Sequence, residues 1–497
     1  MKKYDGFADL LNSRSDAHPD APALLYEQQG GIHTLSYLQL RDAVQASSRR
    51  IRSTGCQCIG ILCDGTIKCV ITIFASVLAG IQTVLLEESA SEELLARQLH
   101  DAQADTLWGD TELAQELGFR ALEELIENPA DGSSFGLSSA CSGSQPHASA
   151  SGDFPETAGD LLFFTSGTTS RSKAVVLSDR SLTASAYNGS CILPLAEKDR
   201  LLCMLPLNHV FGFVCGLLWG LACGASVSLG RGARHYADDP VFFSPTVLSA
   251  VPALLAFLLR HNALNTQLRT VLVGAGNCPP SILELARKNC LHVCFGYGMT
   301  ETSSGIALSI EGDPYALTIC PLNEVQIAPD GEILVRSEDC MMKGYYRQPE
   351  MTAAVLENGT LHTGDLGRID ENGRLHITGR KKEIIVLSDG TKIFLPEYEA
   401  AISQAIGEQD FAVIEQNQQP VLVIHADPAS RPVLLQKLKA AMARYPRGQQ
   451  LHDILFRDAP LPRTSTGKVR RWELQTGGRF QVPFSQMETG HSPTARK

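Results

Sequence analysis

The feature that most limits what this chain can become is a strand–helix–strand alternation that starts early and keeps returning. Cys58-Ile59-Gly60-Ile61-Leu62-Cys63 is a short apolar run, residues 66–79 carry helical spacing, and Thr83-Val84-Leu85-Leu86 is again strand-like. Two strands joined through a helix run parallel, because the helix carries the chain back to the same edge of the sheet. The rhythm recurs at Arg269-Thr270-Val271-Leu272-Val273 and at His292-Val293-Cys294-Phe295. A chain of 497 residues exceeds what one hydrophobic core supports, so several domains are expected. Beyond Ile327 the texture changes to short strands and tight turns, such as Pro329-Asp330-Gly331-Glu332 and Asp370-Glu371-Asn372-Gly373. The predicted class is α/β: a large N-terminal domain over 1–380 with parallel-rich βαβ sheets and a β-rich subdomain, then a small mobile α+β domain over 381–497. In the latter, 419–424 reads as a strand and 432–444 as a helix. Residues 128–158, rich in Ser, Gly, Ala and Pro, read as a surface loop or insertion, and the polar tail after Thr476 as frayed.

Composition removes several function classes. The formal net charge is −11 and no basic stripe is present, so nucleic acid is not an expected partner. The 14 cysteines fall at no regular spacing. The tightest group, Cys56, Cys58, Cys63 and Cys69, lacks the paired C-x-x-C or added histidines of a zinc site, so reduced buried thiols are expected. Residues 1–6 turn polar at once, unlike a signal peptide. Residues 210–230 carry no charge but hold Gly212, Gly216, Gly220, Gly224 and Gly230. They read as a buried helix followed by a buried strand rather than a bilayer span. The expectation is a cytoplasmic protein with no transmembrane segment.

The most informative segment follows a strand that ends at Phe164. It reads Thr165-Ser166-Gly167-Thr168-Thr169-Ser170-Arg171-Ser172-Lys173, then a second apolar run. Small residues let backbone N–H groups turn inward around an anion, the hydroxyls add donors, and Lys173 supplies charge for a polyphosphate. The Walker pattern is absent, so this is not a P-loop NTPase.

This loop resembles the phosphate loop of the acyl-adenylate-forming superfamily, which includes acyl- and aryl-CoA synthetases, luciferases and peptide-synthetase adenylation domains. That family usually has Gly at 170, Pro at 172 and Gly at 174, where this chain has Ser170, Ser172 and Ala174. Five further segments follow in the family's order: Leu205-Pro206-Leu207-Asn208-His209-Val210-Phe211-Gly212, Phe295-Gly296-Tyr297-Gly298-Met299-Thr300-Glu301-Thr302, Leu361-His362-Thr363-Gly364-Asp365-Leu366-Gly367, Gly379-Arg380-Lys381-Lys382-Glu383 and Pro462-Arg463-Thr464-Ser465-Thr466-Gly467-Lys468. The Ser-Lys variant of the phosphate loop and the stretch from Gly379 to Gly390 resemble bacterial long-chain fatty acid–CoA ligases.

The resemblance implies ATP, Mg²⁺ and CoA as partners of the chain, with a small carboxylic acid as substrate. Thr165, Ser166, Gly167, Thr168, Thr169 and Lys173 would hold the phosphates. Adenine would lie between Tyr297, flanked by Gly296 and Gly298, and the Gly274-Ala275-Gly276 backbone. Asp365 would accept both ribose hydroxyls, and Arg380 would reach the ribose or a phosphate. Glu301 would ligate Mg²⁺, a hard cation suited to one or two carboxylates plus phosphate oxygens, and Thr300 would donate to the α-phosphate. Lys468 would bridge the acid and the α-phosphate. His209 would gate the acyl tunnel or orient the acid, and no acidic residue stands beside it to pair with an amino-acid substrate. Lys382 would be the hinge about which the small domain turns, bringing Ser388-Asp389-Gly390 to the thiol channel. A medium or long fatty acid is the expected substrate. Two alternatives stand: a ligase that loads carrier-protein phosphopantetheine, and a degenerate nucleotide-binding protein without turnover.

Overall fold

The computed structural model describes residues 2–121, 158–165, 173–276, 278, 280–289, 291–310, 315–388, 391–407, 409–463, 469–474 and 480–483. The expected alternation becomes two large sheets. One has seven strands in the order Gly344–Tyr345, Lys173–Leu177, Leu161–Thr165, Gln82–Leu86, Cys58–Leu62, Thr106–Trp108 and Arg120–Ala121. Its last five strands are mutually parallel, and the first two are antiparallel additions at one edge. The other has nine strands, with a parallel centre from Pro22–Gln28 across to His292–Met299 and antiparallel strands at both edges.

Between these sheets lies a layer of helices, and this layer explains a sequence oddity. The helix Ile67–Leu78 is buried at every position but Lys68, so it shows no polar face. A helix apolar all round belongs inside a core, and its neighbours in one continuous cluster come from both sheets: Leu24, Leu201 and Val227 from one, Ile59, Leu85 and Phe163 from the other. The adjacent helix Tyr37–Ser53 starts at a capping box, in which Ser36 and Gln39 satisfy each other's backbone N–H groups. The outer face of the nine-stranded sheet is covered by Pro252–Arg260 and Pro280–Lys288.

The strands Glu324–Ile327, Glu332–Arg336, Thr360–Ile369, Leu356–Glu357 and Leu375–Arg380 form the β-rich subdomain, all antiparallel. From Ile385 onward a separate core gathers around the sheet Asp410–Gln416, Gln419–His425 and Asp453–Arg457 and the helices Leu395–Ile406 and Arg431–Met442.

Two expectations change. The tail beyond Thr476 is not frayed throughout: Phe480–Pro483 adds an antiparallel strand to Asp453–Arg457. The window is polar on average, but four residues suffice for an edge strand when a partner ladder is waiting, and Pro483 sits at its end, where a missing N–H does no harm. The uncharged stretch does hold a helix and a strand, Ser226–Leu229, but the helix is compound. Gly212–Leu218 is π-helical, and Trp219–Cys223 after it is α-helical. The loop expected over 128–158 lies, except for Ala158, outside the described residues. No described helix is long and apolar enough to cross a membrane.

Candidate active site

The site grows from the C-terminal end of the strand His292–Met299. This strand pairs with Ser304–Ser309 through a bulge between Tyr297 and Gly298. A Cβ at Gly298 would fall inside the van der Waals shell of the Ser304 carbonyl oxygen, so no side chain fits there. The chain then makes a single 3₁₀ turn, Thr300–Thr302, and reverses through Ser303 (φ 51°) and Ser304 (φ 109°). Bulges and positive-φ residues of this kind re-aim side chains beside functional sites. Here they aim Tyr297 and Glu301 to different partners.

Tyr297 donates its hydroxyl to Asp365 Oδ2 at 2.9 Å, and Arg380 Nε donates to Asp365 Oδ1 at 2.5 Å. Asp365 and Arg380 face each other in the ladder between Thr360–Ile369 and Leu375–Arg380. Burial, reinforced by the Asp365 charge, pushes the Tyr297 phenol well above its ordinary range, so it remains a donor. Burial opposes the Arg380 charge, but Asp365 outweighs it and raises the guanidinium's affinity for its proton. The Asp365 carboxylate is 2% exposed and acceptor-only. The turn before it is set by Gly364 at φ 72°, and by Thr363, whose hydroxyl donates to the Ile333 carbonyl at 2.7 Å and accepts from the Asp365 N–H at 3.0 Å.

Sequence reading missed the group that holds this turn. Glu332 is buried, accepts the Gly364 N–H on Oε1 at 2.8 Å and the Lys381 ammonium on Oε2 at 2.7 Å, and lies 3.1 Å from His362 Nδ1. Lys381 also pairs with Asp330. Burial works against the Glu332 charge, but Lys381, His362 and Gly364 together hold its carboxyl below the usual range. A depressed carboxyl contributes stability that is full above its ordinary value, near pH 4.5, and is lost as the pH falls through the lowered one. The melting-temperature gap between wild type and Glu332→Gln is therefore expected to shrink as pH drops below about 4.5. A gap that stays constant from about pH 7 to about pH 3 in thermal melts would show that the charge is not what holds the turn.

The second constellation is built on Glu301, 8% exposed. Tyr345 donates its hydroxyl to Glu301 Oε1 at 2.7 Å, and Met342 N–H donates to the Glu301 carbonyl at 2.9 Å. The Lys173 ammonium lies 4.5 Å from the centre of the Tyr345 ring. Thr165 and Lys173 are opposite each other at the end of an antiparallel pair, so the strands Leu161–Thr165 and Lys173–Leu177 present both ends of the phosphate loop side by side. Ser166, Gly167, Thr168 and Thr169 lie outside the described residues, as do Lys468, Asp389, Gly390 and the side chain of Lys382. No group of three or more His, Cys, Asp or Glu among the described residues could hold a metal ion. Magnesium keeps water and phosphate oxygens as ligands and asks the protein for few carboxylates.

The third part is the wall around His209. Its N–H donates to the Pro206 carbonyl at 3.3 Å, and its own carbonyl accepts from Phe213 N–H at 2.9 Å, an α-helical bond that leads into the π-helix Gly212–Leu218. π-Helical turns widen the backbone and concentrate at functional sites. One widened carbonyl, that of Cys215, is taken up by the Ser249 hydroxyl at 2.7 Å. Gly274 packs under the Phe211 ring, where a Cβ would come within 2.7 Å of two ring carbons. Ala275 takes a left-handed φ of 60°. Gly276 and Gly296 have room for a Cβ, so only Gly274 and Gly298 of these four glycines are demanded by close contact.

The cysteines are for the most part buried thiols. Among the described residues none is disulfide-bonded, and all but Cys191 and Cys215 are buried. Burial pushes Cys58 up to about 11 and Cys203 up to about 12, so neither is a ready nucleophile or metal ligand.

With this geometry in hand, known proteins give a consistent comparison. The AMP-binding enzyme family matches residues 11–346. The 2-succinylbenzoate–CoA ligase of Oceanobacillus iheyensis is 29% identical over 500 aligned residues, covering 93% of this chain and 98% of the relative. A Mycobacterium tuberculosis ligase that joins CoA to 3-[(3aS,4S,7aS)-7a-methyl-1,5-dioxo-octahydro-1H-inden-4-yl]propanoate is 31% identical over 359 residues, 65% of this chain and 67% of its own. Among solved structures, the O-succinylbenzoate Coenzyme A synthetase of Bacillus subtilis with ATP and magnesium superimposes with a TM-score of 0.75 at 25% identity, covering 94% of this chain and 99% of that one. The superfamily is the one the motifs resemble. The finer likeness to long-chain fatty acid ligases is not what these relatives carry.

Proposed function

The chain belongs to the AMP-binding enzyme family, and on that premise we propose that it is an AMP-forming acid–CoA ligase acting on 2-succinylbenzoate or a close aryl acid. The observation that carries the adenylation step is the convergence of two constellations at one strand end. Tyr297, Asp365 and Arg380 form a polar cluster, and Glu301, Tyr345 and Lys173 stand where the phosphate loop opens. The aryl acid is supported by the curated and solved succinylbenzoate ligases that align along nearly the whole chain.

In the first step a carboxylate oxygen of the acid attacks the α-phosphorus of ATP, and the bond to pyrophosphate breaks. Two anions have to meet, so positioning and charge are the catalytic resources. Asp365 orients the nucleotide through its ribose. Lys173 faces the departing phosphates, and Lys468 draws the acid oxygen and an α-phosphate oxygen together. Glu301 would hold Mg²⁺, which would supply charge neutralisation for the phosphates. Thr300, next to Glu301 on the 3₁₀ turn, donates to the α-phosphate. In the second step the CoA sulfur attacks the acyl carbon and AMP leaves. We place the boundary between the two domains at 380/381 and the swivel between the two steps at Lys382.

The test is a panel of acids scored by pyrophosphate release and AMP formation, with CoA or a phosphopantetheinylated carrier protein as acceptor. The highest kcat/KM is expected for 2-succinylbenzoate with CoA. A medium or long fatty acid in first place would return the acid to the sequence expectation while keeping the reaction class. Pyrophosphate release with none of the acids would leave only a nucleotide-binding protein without turnover.

A further inference from the structure

The segment from Cys340 to Tyr346 belongs to none of the motifs, yet it touches both charged arms of the phosphate site. Met342 N–H holds the Glu301 carbonyl. Lys343 N–H donates to the Val176 carbonyl at 2.9 Å and Tyr346 N–H to the Ala174 carbonyl at 2.8 Å, while Gly344 and Tyr345 pair with Val176 and Val175. This short strand thus rides on the strand that leaves the phosphate loop. A third tie, from Tyr345 N–H to Thr352 Oγ1 at 2.9 Å, anchors it to the following helix.

So placed, the Tyr345 side chain is 6% exposed and stands between two groups of opposite charge. Its hydroxyl reaches Glu301 Oε1 at 2.7 Å, and its ring lies under the Lys173 ammonium at 4.5 Å. The carboxylate oxygen can only accept, so at this distance the hydroxyl is the donor. From this geometry we infer that Tyr345 is a positioning residue for the metal: by occupying Glu301 Oε1 it fixes the plane of the carboxylate and presents Oε2 to a divalent cation carried by the nucleotide. The inference rests on the reading of Glu301 as the magnesium carboxylate. A carboxylate on an isolated 3₁₀ turn would otherwise rotate about its last two bonds. One charge-assisted hydrogen bond from a rigid ring removes that freedom and costs little side-chain entropy, because a tyrosine has only two rotatable angles.

The experiment uses the full chain with Mn²⁺ and the non-cleavable analogue α,β-methylene-ATP, and reads bound Mn²⁺ by electron paramagnetic resonance. Neither acid nor CoA is present, so a wrong substrate assignment does not affect the result. Tyr345→Phe keeps the ring beneath Lys173 and removes only the hydroxyl. It is expected to weaken Mn²⁺ binding to the nucleotide complex about tenfold, and to leave metal-free nucleotide affinity within about twofold. Glu301→Gln and the double variant Tyr345→Phe/Glu301→Gln are expected to bind Mn²⁺ equally weakly, because the hydroxyl acts only through that carboxylate. Unchanged Mn²⁺ affinity in Tyr345→Phe would overturn the inference. So would a further loss of similar size on top of Glu301→Gln, or an equal loss of metal-free nucleotide binding, which would mark Tyr345 as a general support of the fold. A wild-type protein whose nucleotide complex takes up no Mn²⁺ would overturn both the inference and the magnesium role of Glu301.

Discussion

Replacing Asp365 by alanine is expected to weaken ATP and AMP binding by about 100-fold or more. Hydrogen bonds to a charged acceptor contribute about 1.5–3 kcal/mol each, and a buried carboxylate facing a ribose can take both hydroxyls. The variant also releases the Tyr297 hydroxyl and the Arg380 guanidinium, which now both end on Asp365. Arg380 is half exposed and recovers water, but Tyr297 is largely enclosed and loses its acceptor. A fall in melting temperature should therefore accompany the loss of affinity. Asp365→Asn separates the two effects: it keeps one acceptor oxygen and turns an NH₂ toward a donor, so its affinity should lie between the two. The readout is calorimetry with AMP beside a thermal melt. A lower melting temperature with unchanged nucleotide affinity would mean that Asp365 only clasps Tyr297 and Arg380.

The other large effect is expected at Lys468. Arg463 and Val469, on either side of it in sequence, bridge to each other, and the Arg470 N–H donates to the Pro462 carbonyl at 2.8 Å. The N-terminal flank is tied to the small domain's sheet where Asp410 accepts from the Leu461 N–H at 2.7 Å and pairs with Arg463. Both flanks are held to the small domain, so in the proposed two-step cycle Lys468 would travel with it. Lys468→Ala should lower acyl-adenylate formation by about 10²–10³-fold, the usual loss when one charge-stabilising donor is removed. It should leave ATP binding and thioester formation from preformed acyl-adenylate near wild type, since the lysine acts where charge develops on the phosphate. The complementary variant is Lys382→Pro. Proline locks φ near about −65°, so adenylation should persist while transfer to CoA slows. Near-normal adenylation in Lys468→Ala would remove it from the mechanism. Equal losses of both half-reactions in Lys382→Pro, or of neither, would move the pivot elsewhere.

How far the site could be read from the chain follows from which contacts are local. The run of hydroxyl residues before Lys173, the Gly-Tyr-Gly run before Glu301 and the Gly-Asp turn at 364–365 are contiguous, and each names its own chemistry. Glu301 is therefore legible as the proposed magnesium carboxylate, but its partner is not: Tyr345 is 44 residues from Glu301 in sequence. Its motif marks Tyr297 as an adenine neighbour, whereas its hydroxyl bond to Asp365 spans 68 residues. Glu332 looks like one acid in a turn-rich stretch, and only folding puts Gly364, His362 and Lys381 around it.

What the sequence determined by itself is the sheet class and the order of the elements. Apolar runs of strand length separated by helices leave parallel pairing as the way to bury them, and the apolar helix Ile67–Leu78 had to lie between two layers because it has no face for water. What only the tertiary structure decided is the fine conformation at the cleft. Gly212–Leu218 winds as a π-helix because Gly212 sits against the Pro206 carbonyl and Ser249 takes up the Cys215 carbonyl, contacts that no helical periodicity encodes. Phe480–Pro483 becomes a strand because Asp453–Arg457 offers a free ladder. A propensity describes one segment in water, whereas a hydrogen-bonding edge or a close-packed carbonyl is supplied by another segment, so it exists only once both have folded.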